Sequence, residues 1–364
     1  MKVLSFPLAF PVEAQPVSVV VESENNHSFD TRQFLLSATN TVDGQIYPGN
    51  VDSYTFPGLN AGELFNVQVN SNTVDPLLGL LDDSGKPQLI NDDRSDLSIL
   101  PELTGIVPTS GKLTFGVSGL RDINLTGEHF ESGSYTLSLK TFPLPKPSTN
   151  ATLINGSFET SDFIAWTTLG ENTIETSAFG SSPTQGTFQA LLSTGGVSFA
   201  NPIIEQFLGL KAESLDNLVP FPIDPPPTLV FTEQPAQGSA IQQTFTAEAG
   251  DILAFDWNFF TNELPTALGP SLSDFSFVSI SSPLDSISYL EELADVTTFP
   301  SLVTSPTQFL RETGFHTFSF TIPTTGTYTL GLGVTNKFDN FTDSGLLVDN
   351  VTLTSVTEST SVLA

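Results

Sequence analysis

Leu253-Ala254-Phe255-Asp256-Trp257-Asn258-Phe259 places a large apolar side chain at every second position, with small or polar residues between. That period belongs to a strand with one buried face, because successive side chains of an extended backbone point to opposite sides. The same alternation recurs in Phe318, Phe320 and Ile322, in Phe275 and Phe277, and in Tyr328, Leu330, Leu332 and Val334. Upstream it recurs in Tyr54 and Phe56, in Phe65, Val67 and Val69, in Leu113, Phe115 and Val117, and in Tyr135, Leu137 and Leu139. Turn formers such as Pro57-Gly58, Asp82-Asp83-Ser84-Gly85 and Ser132-Gly133 separate the runs. Short strands with no helical pattern between them predict an all-β chain of antiparallel sandwiches. Two segments break the pattern. Asn201 as a cap, Pro202 as first helical residue and Ile203, Ile204, Phe207 and Leu208 predict one short helix, and Ile287 to Ala294 predict a second.

The 364 residues carry 40 acidic and 11 basic side chains, a net charge of -29, which excludes the clustered cations that nucleic acid binding needs. With no Cys, disulfides, thiolate metal sites and cysteine nucleophiles are excluded together. The length suits two domains, and Phe142-Pro143-Leu144-Pro145-Lys146-Pro147 reads as a semi-rigid linker between them. The expected division is a largely irregular segment 1–39, a sandwich over 40–141, the linker 142–150, a second sandwich over 151–355 and a tail 356–364. A Pro-rich insertion, 197–240, interrupts the second sandwich, with Pro220, Pro222 and Pro225-Pro226-Pro227 forbidding regular structure. Lys2, the apolar run Val3 to Val12 and Val12-Glu13-Ala14 make a signal-like start, and no stretch approaches the roughly 20 apolar residues that span a bilayer. An extracellular or cell-surface location is expected.

One carboxylate is out of place. Asp349 shares parity with Leu347, Val351 and Leu353, so a strand that buries those residues buries Asp349 with them. A lone buried carboxylate is costly, and Lys and Arg are scarce nearby in sequence. A calcium ion shared with Glu159 and backbone carbonyls would satisfy it. In the first half, Asp75, Asp82 and Asp92 could converge at one end of a hairpin on a second calcium, against the alternative that they only cap turns. Asp256, Asn262, Glu263 and Asp274 could gather at a sandwich rim as a ligand or cation site. The three histidines, His27, His129 and His316, lie far apart in sequence, and no nucleophile elbow, phosphate loop or zinc motif occurs. No catalytic residue is therefore assigned. Trp166 and Trp257 keep register with apolar neighbours and read as core rather than as sugar platforms.

The order Gly44, Asn50-Val51-Asp52-Ser53-Tyr54-Thr55-Phe56, Asp75-Pro76-Leu77-Leu78-Gly79-Leu80-Leu81-Asp82, Asn91-Asp92-Asp93 and Gly133-Ser134-Tyr135-Thr136-Leu137 resembles the bacterial pre-peptidase C-terminal domain. Such domains are accessory sandwiches of secreted hydrolases, and some bind calcium or matrix polymers. Asn155-Gly156-Ser157-Phe158-Glu159 together with Val348-Asp349-Asn350-Val351-Thr352-Leu353 resembles galactose-binding-like jelly-roll carbohydrate-binding modules. That resemblance implies a structural calcium on Glu159 and Asp349, with Asn155 as a further ligand. The reading that results is a secreted non-catalytic binding or structural protein of the cell surface or matrix. The alternative is a polysaccharide-binding protein, and the third reading is a glycoside hydrolase with unrecognised carboxylates.

Overall fold

A computed structural model describes residues 19–23, 26–36, 39–93, 98–146, 152–218, 236–263, 274–282, 287–296, 302–337 and 342–355. The signal-like start, Pro220, Pro222 and Pro225-Pro226-Pro227 of the insertion, the end of the linker and the tail lie outside the described residues. The architecture is nearly all strand, in four sheets. The first runs β1 (Val19–Val21), β3 (Thr41–Ile46), β10 (Gly133–Phe142), β5 (Leu64–Asn70), β8 (Glu102–Ile106). The second runs β2 (Gln33–Phe34), β4 (Asp52–Phe56), β9 (Leu113–Gly119), β6 (Pro76–Leu81), β7 (Pro87–Asn91). Their facing sides enclose one core of Tyr54, Phe56, Phe65, Val67, Phe115, Val117, Tyr135 and Leu137. Residues 19–36 are not simply an irregular lead. They add one short parallel strand to the edge of each sheet, Val20 opposite Val42 and Phe34 opposite Thr55. Strands of two or three residues are too short to declare a period.

The third sheet runs β11 (Thr167–Leu169), β15 (Gln237–Ala247), β22 (Gly326–Thr335), β17 (Phe275–Ser282), β18 (Ile287–Asp295), with β14 (Phe199–Ala200) also on β15. The fourth runs β12 (Glu171–Glu175), β13 (Gln189–Ser193), β23 (Ser344–Thr354), β16 (Ile252–Thr261), β20 (Arg311–Glu312), β19 (Val303–Thr304), with β21 (His316–Thr321) also on β16. All pairings in these two sheets are antiparallel. Leu253, Phe255, Trp257 and Phe259 meet Tyr328, Leu330, Leu332 and Val334 in the core between them, and Trp166 joins it.

The segment 287–294 is a strand. It pairs along β17 from Ser282 opposite Ile287 to Phe275 opposite Asp295, with a bulge that admits one extra residue. Its apolar spacing imitates a helix because the bulge breaks the two-residue period. A helix α1 does form over Asn201–Leu208, but Asn201 is its first residue, and the residue before it, Ala200, occupies the cap position. The Asn201 side chain instead accepts from Thr335 and donates to Asp216 of α2 (Ser214–Leu218).

Helix α1 explains a second departure. Phe275 and Phe277 do not enter the core of the second sandwich; Val278 and Ile280 do. The two phenylalanines face outward and are covered by Ile203, Ile204, Phe207 and Leu208. The same cluster takes in Leu64, Ile106, Phe142 and Leu144 from the first sandwich and linker, so the insertion wedges the two sandwiches together. Phe142 meets Phe199 edge to face at 6.2 Å, and the Thr104 hydroxyl donates to the Ser198 carbonyl at 2.7 Å. Phe199→Ala should therefore cost about 3–5 kcal/mol by cavity formation. Calorimetry should show the single transition of the wild type divide into two, one for each sandwich; an undivided transition would mean that the wedge does not couple them.

Candidate functional site

Strand β23 carries a bulge. Asp349 is opposite Asp256 in β16, yet the next paired residues are Thr352 and Ala254, so Asn350 and Val351 together face one residue, Phe255. Asn350 takes a left-handed conformation, φ 52°, which asparagine tolerates better than other side chains. The inserted residue resets the alternation. Leu346, Val348 and Val351 point into the core, whereas Leu347 joins Leu191, Phe260 and Phe309 on the opposite face of the sheet. Asp349 lies on that opposite face, so its parity with Val351 does not mean a shared environment.

Asp349 is nevertheless 0% exposed, because the loop between the 3-10 turn Ser177–Phe179 and β13 folds over it. Its Oδ2 accepts from the Gln185 amide at 2.8 Å and the Thr184 hydroxyl at 3.1 Å, and its Oδ1 accepts from the Asn350 amide at 2.7 Å. Burial raises its pKa, and these donors only partly oppose the shift. The same loop serves Glu159, whose Oε1 accepts from the amides of Thr187 and Phe188 at 2.8 and 2.9 Å. Gly186, φ 71°, sits between these donors, and a Cβ there would run into the Glu159 carboxyl. Residues 184–188 thus connect Asp349 on the last strand with Glu159 near the start of the second sandwich. Asn155 organises the turn that carries Glu159: its Oδ1 accepts from the Thr160 amide, its Nδ2 donates to the Asp162 carbonyl, and its own carbonyl accepts from Trp166 Nε1.

Asp256, assigned from sequence to the rim, belongs beside Asp349. It accepts from Thr317 at 2.6 Å and from Asn350 Nδ2 at 3.0 Å. Burial pushes its pKa up, but these donors outweigh burial and hold it below the usual carboxylate value. The other rim residues cluster at the far end of β16: Glu263 accepts from the Asp274 amide, Asn262 accepts from the Leu310 amide, and Asp274 takes the Ser344 hydroxyl at 2.7 Å. Five residues of extended strand, roughly 17 Å, separate Asp256 from Thr261 at that end.

The hairpin aspartates divide as well. Asp82 closes the β6–β7 turn, accepting from the amides of Ser84 and Lys86, and the Ser84 hydroxyl leads the causes that lower its pKa. Asp75 and Asp92 bracket the opposite, open end, where the fields of Glu131 and Asp92 act on Asp75. Asp82 therefore cannot share an ion with them. Sequence reading also missed a group in the segment taken as irregular. Glu22, His27 and Asp52 bring ligand atoms within 4.8 Å of one another, the one such trio among the described residues. Asp52 is fully buried, accepting from Tyr135 at 2.9 Å and Asn50 at 3.0 Å, while Tyr135 and Tyr54 share a 2.6 Å hydrogen bond. The only cue in sequence was the acidic and amide character of residues 22–27; in the structure Glu22 directly follows β1, which pairs with β3.

A groove of about 880 Å3 borders the loop that covers Asp349. Gln185 and Asn350 line it, together with Thr246, Glu248, Asp251 and Thr327.

No family model matches the chain, and no curated protein matches it. Solved structures do. A family 61 carbohydrate-binding module in complex with β-1,4-galactotriose is 12% identical, with a TM-score of 0.32, over 57% of this chain and 100% of that one. A family 28 module specific for non-crystalline cellulose is 10% identical, with a TM-score of 0.31, over 58% and 98%. The pre-peptidase C-terminal domain of a Bacillus anthracis collagenase is 18% identical, with a TM-score of 0.22, over 34% and 97%. At these scores the likenesses carry no functional argument.

Among the acids at the open end of the hairpin, Asp93 has its pKa pushed up to about 6 by burial first, then by Asp92 and Asp75. The folded state therefore holds this proton more tightly than the unfolded chain, and stability falls as pH rises from the unfolded value of 3.8 through about 6. Asp93→Asn should raise the melting temperature at pH 7.5 and leave it unchanged at pH 3. Equal melting temperatures at both values would show that Asp93 is not under strain.

Proposed function

We propose that this chain is a non-catalytic binding protein of the cell surface or extracellular matrix, in which a calcium ion stiffens the second sandwich beside a groove that takes polysaccharide. The observation that carries the reading is the loop 184–188, held at one end by Asp349 and at the other by Glu159. Hard cations favour oxygen donors, and Asp349 is a fully buried carboxylate whose hydrogen-bond partners are all neutral. Asp349 and Glu159 would hold the ion with carbonyls of that loop, and Asn155 supports the turn that presents Glu159. Calcium supplies positive charge that amides and hydroxyls only approximate. The groove fits the polymer reading through its volume and through hydroxyl, amide and carboxylate side chains suited to sugar hydroxyls.

A hydrolase reading would look to Asp349 and Asp256. They are directly opposite on neighbouring strands and their environments push their proton affinities apart, which is the pattern of an acid and its partner. Asp349, however, is sealed beneath Thr184 and Gln185, where no glycosidic oxygen can reach it. A second cation reading has its own observation in the trio Glu22, His27 and Asp52.

Calcium at a hundredfold excess over its dissociation constant stabilises a protein by about 2.7 kcal/mol, so chelation should lower the melting temperature by several degrees. Asp349→Asn should abolish most of that response, and Asp52→Asn should remove any remainder contributed by the first sandwich. A melting temperature indifferent to chelator would refute the calcium reading. Retention on polysaccharide gels, measured with and without calcium, tests the groove separately: Thr327→Trp should block retention without altering the calcium response, and retention on no polysaccharide would refute the ligand assignment.

A further inference from the structure

The wall of the groove beside the loop 184–188 has a one-sided chemistry. Among the described residues that line it, Glu248 and Asp251 carry charge, and there is no Lys, Arg or His and no aromatic ring. Without a ring to stack on, a sugar must be held by hydrogen bonds, and these largely replace bonds it already makes to water. Charge is then what can select one polymer from another.

The two acids are not equivalent. Both belong to the turn 248–251 that joins β15 to β16. Asp251 is only 5% exposed; its Oδ2 accepts from the Glu248 amide at 2.9 Å, and its own amide donates to the Glu248 carbonyl at 3.0 Å. Gly250, φ 92°, donates to the Ile322 carbonyl at 2.8 Å, and the Ala249 amide donates to the Thr325 hydroxyl at 3.0 Å. The turn is fixed by these bonds, whereas Glu248 itself is exposed. The groove thus presents one exposed carboxylate from ordered backbone, with no cation in its described wall, on a chain of net charge -29. Such a field repels uronate and sulfated sugars and attracts ammonium groups.

We propose, resting on the polysaccharide reading of this groove, that Glu248 selects its ligand by charge and that the polymer it takes carries primary ammonium groups, as a polymer of glucosamine does. The ammonium donates to the Glu248 carboxylate, while sugar hydroxyls meet the threonine and serine hydroxyls of the wall. Asp251 holds the backbone of Glu248, so the carboxylate is placed before the ligand arrives and little ordering is left for binding to supply.

Two oligosaccharides of equal length, one of glucosamine and one of N-acetylglucosamine, share a backbone and differ in charge. Calorimetric titration of the full chain at pH 5.5, where the sugar amines are protonated, should show the glucosamine oligomer bound about fivefold more tightly, the factor one exposed ion pair supplies. Glu248→Gln should bring the two affinities together, whereas Glu128→Gln, at an exposed acid of the first sandwich, should leave the preference intact. Equal affinities in the wild type would overturn the inference and leave the groove reading standing. An equal loss of preference in both variants would overturn it as well, because the attraction would then belong to the acidic surface at large. Binding of neither oligomer also overturns the inference, whereas the groove reading fails only when no polysaccharide of any charge is retained.

Discussion

One inserted residue governs the second sandwich. Asn350 opens a bulge in β23, a strand hydrogen-bonded on both sides to β13 and β16. A bulge in a central strand changes the face of every residue beyond it. Here it lets Val351 return to the core while Asp349 stays on the outer face, and it frees the Asn350 side chain to reach Asp256. A carboxylate placed there would ordinarily remain in water. The loop 184–188 removes it from water, and the free energy of that burial must be offset by donors or by a cation. The cover loop, the turn around Asn155 and the anchoring of Glu159 follow from that requirement.

The acid surplus is handled differently in each place. Asp82 is a turn acceptor at the surface, where water screens it. Asp52 is buried but shares its charge with a tyrosine, an amide and, at 3.5 Å, the ring of His27. Asp349 relies on backbone amides and a hydroxyl. Neutral donors suffice to bury a carboxylate when several converge, but they do not restore its full hydration, which is why burial still raises the Asp349 pKa.

Strand alternation was legible wherever one face is buried and the pairing is regular, as in β5, β9, β16 and β22. It failed where a second apolar surface or a bulge intervenes. Phe275 and Phe277 obey a two-residue period, yet their target is α1 rather than the core, and sequence contains no sign of which face a helix will cover. The bulge in β18 turned a strand into an apparent helix, and the bulge at Asn350 undid the parity argument for Asp349 while leaving its burial correct. Glu159 and Asp349 could be paired from sequence through a resemblance. The loop that joins them could not, because backbone amides have no signature in side-chain order. Glu22, His27 and Asp52 were hidden by the brevity of β1.

The wedge between the sandwiches bears on how such a protein could hold an extended ligand. Two domains on a flexible tether each search independently, and the second binding event depends on the linker's reach. Leu64 is fully buried against a cluster that includes Phe199, Ile204 and Phe207, so the sandwiches meet through a closed apolar surface rather than through the proline linker alone. An apolar interdomain surface of this kind suppresses the relative motion expected of domains that meet through polar contacts. The ordering entropy of setting one sandwich against the other is then already spent in folding. The part of the insertion that carries Phe199 and α1 interrupts the jelly roll in sequence, yet in three dimensions it packs against apolar side chains of both sandwiches.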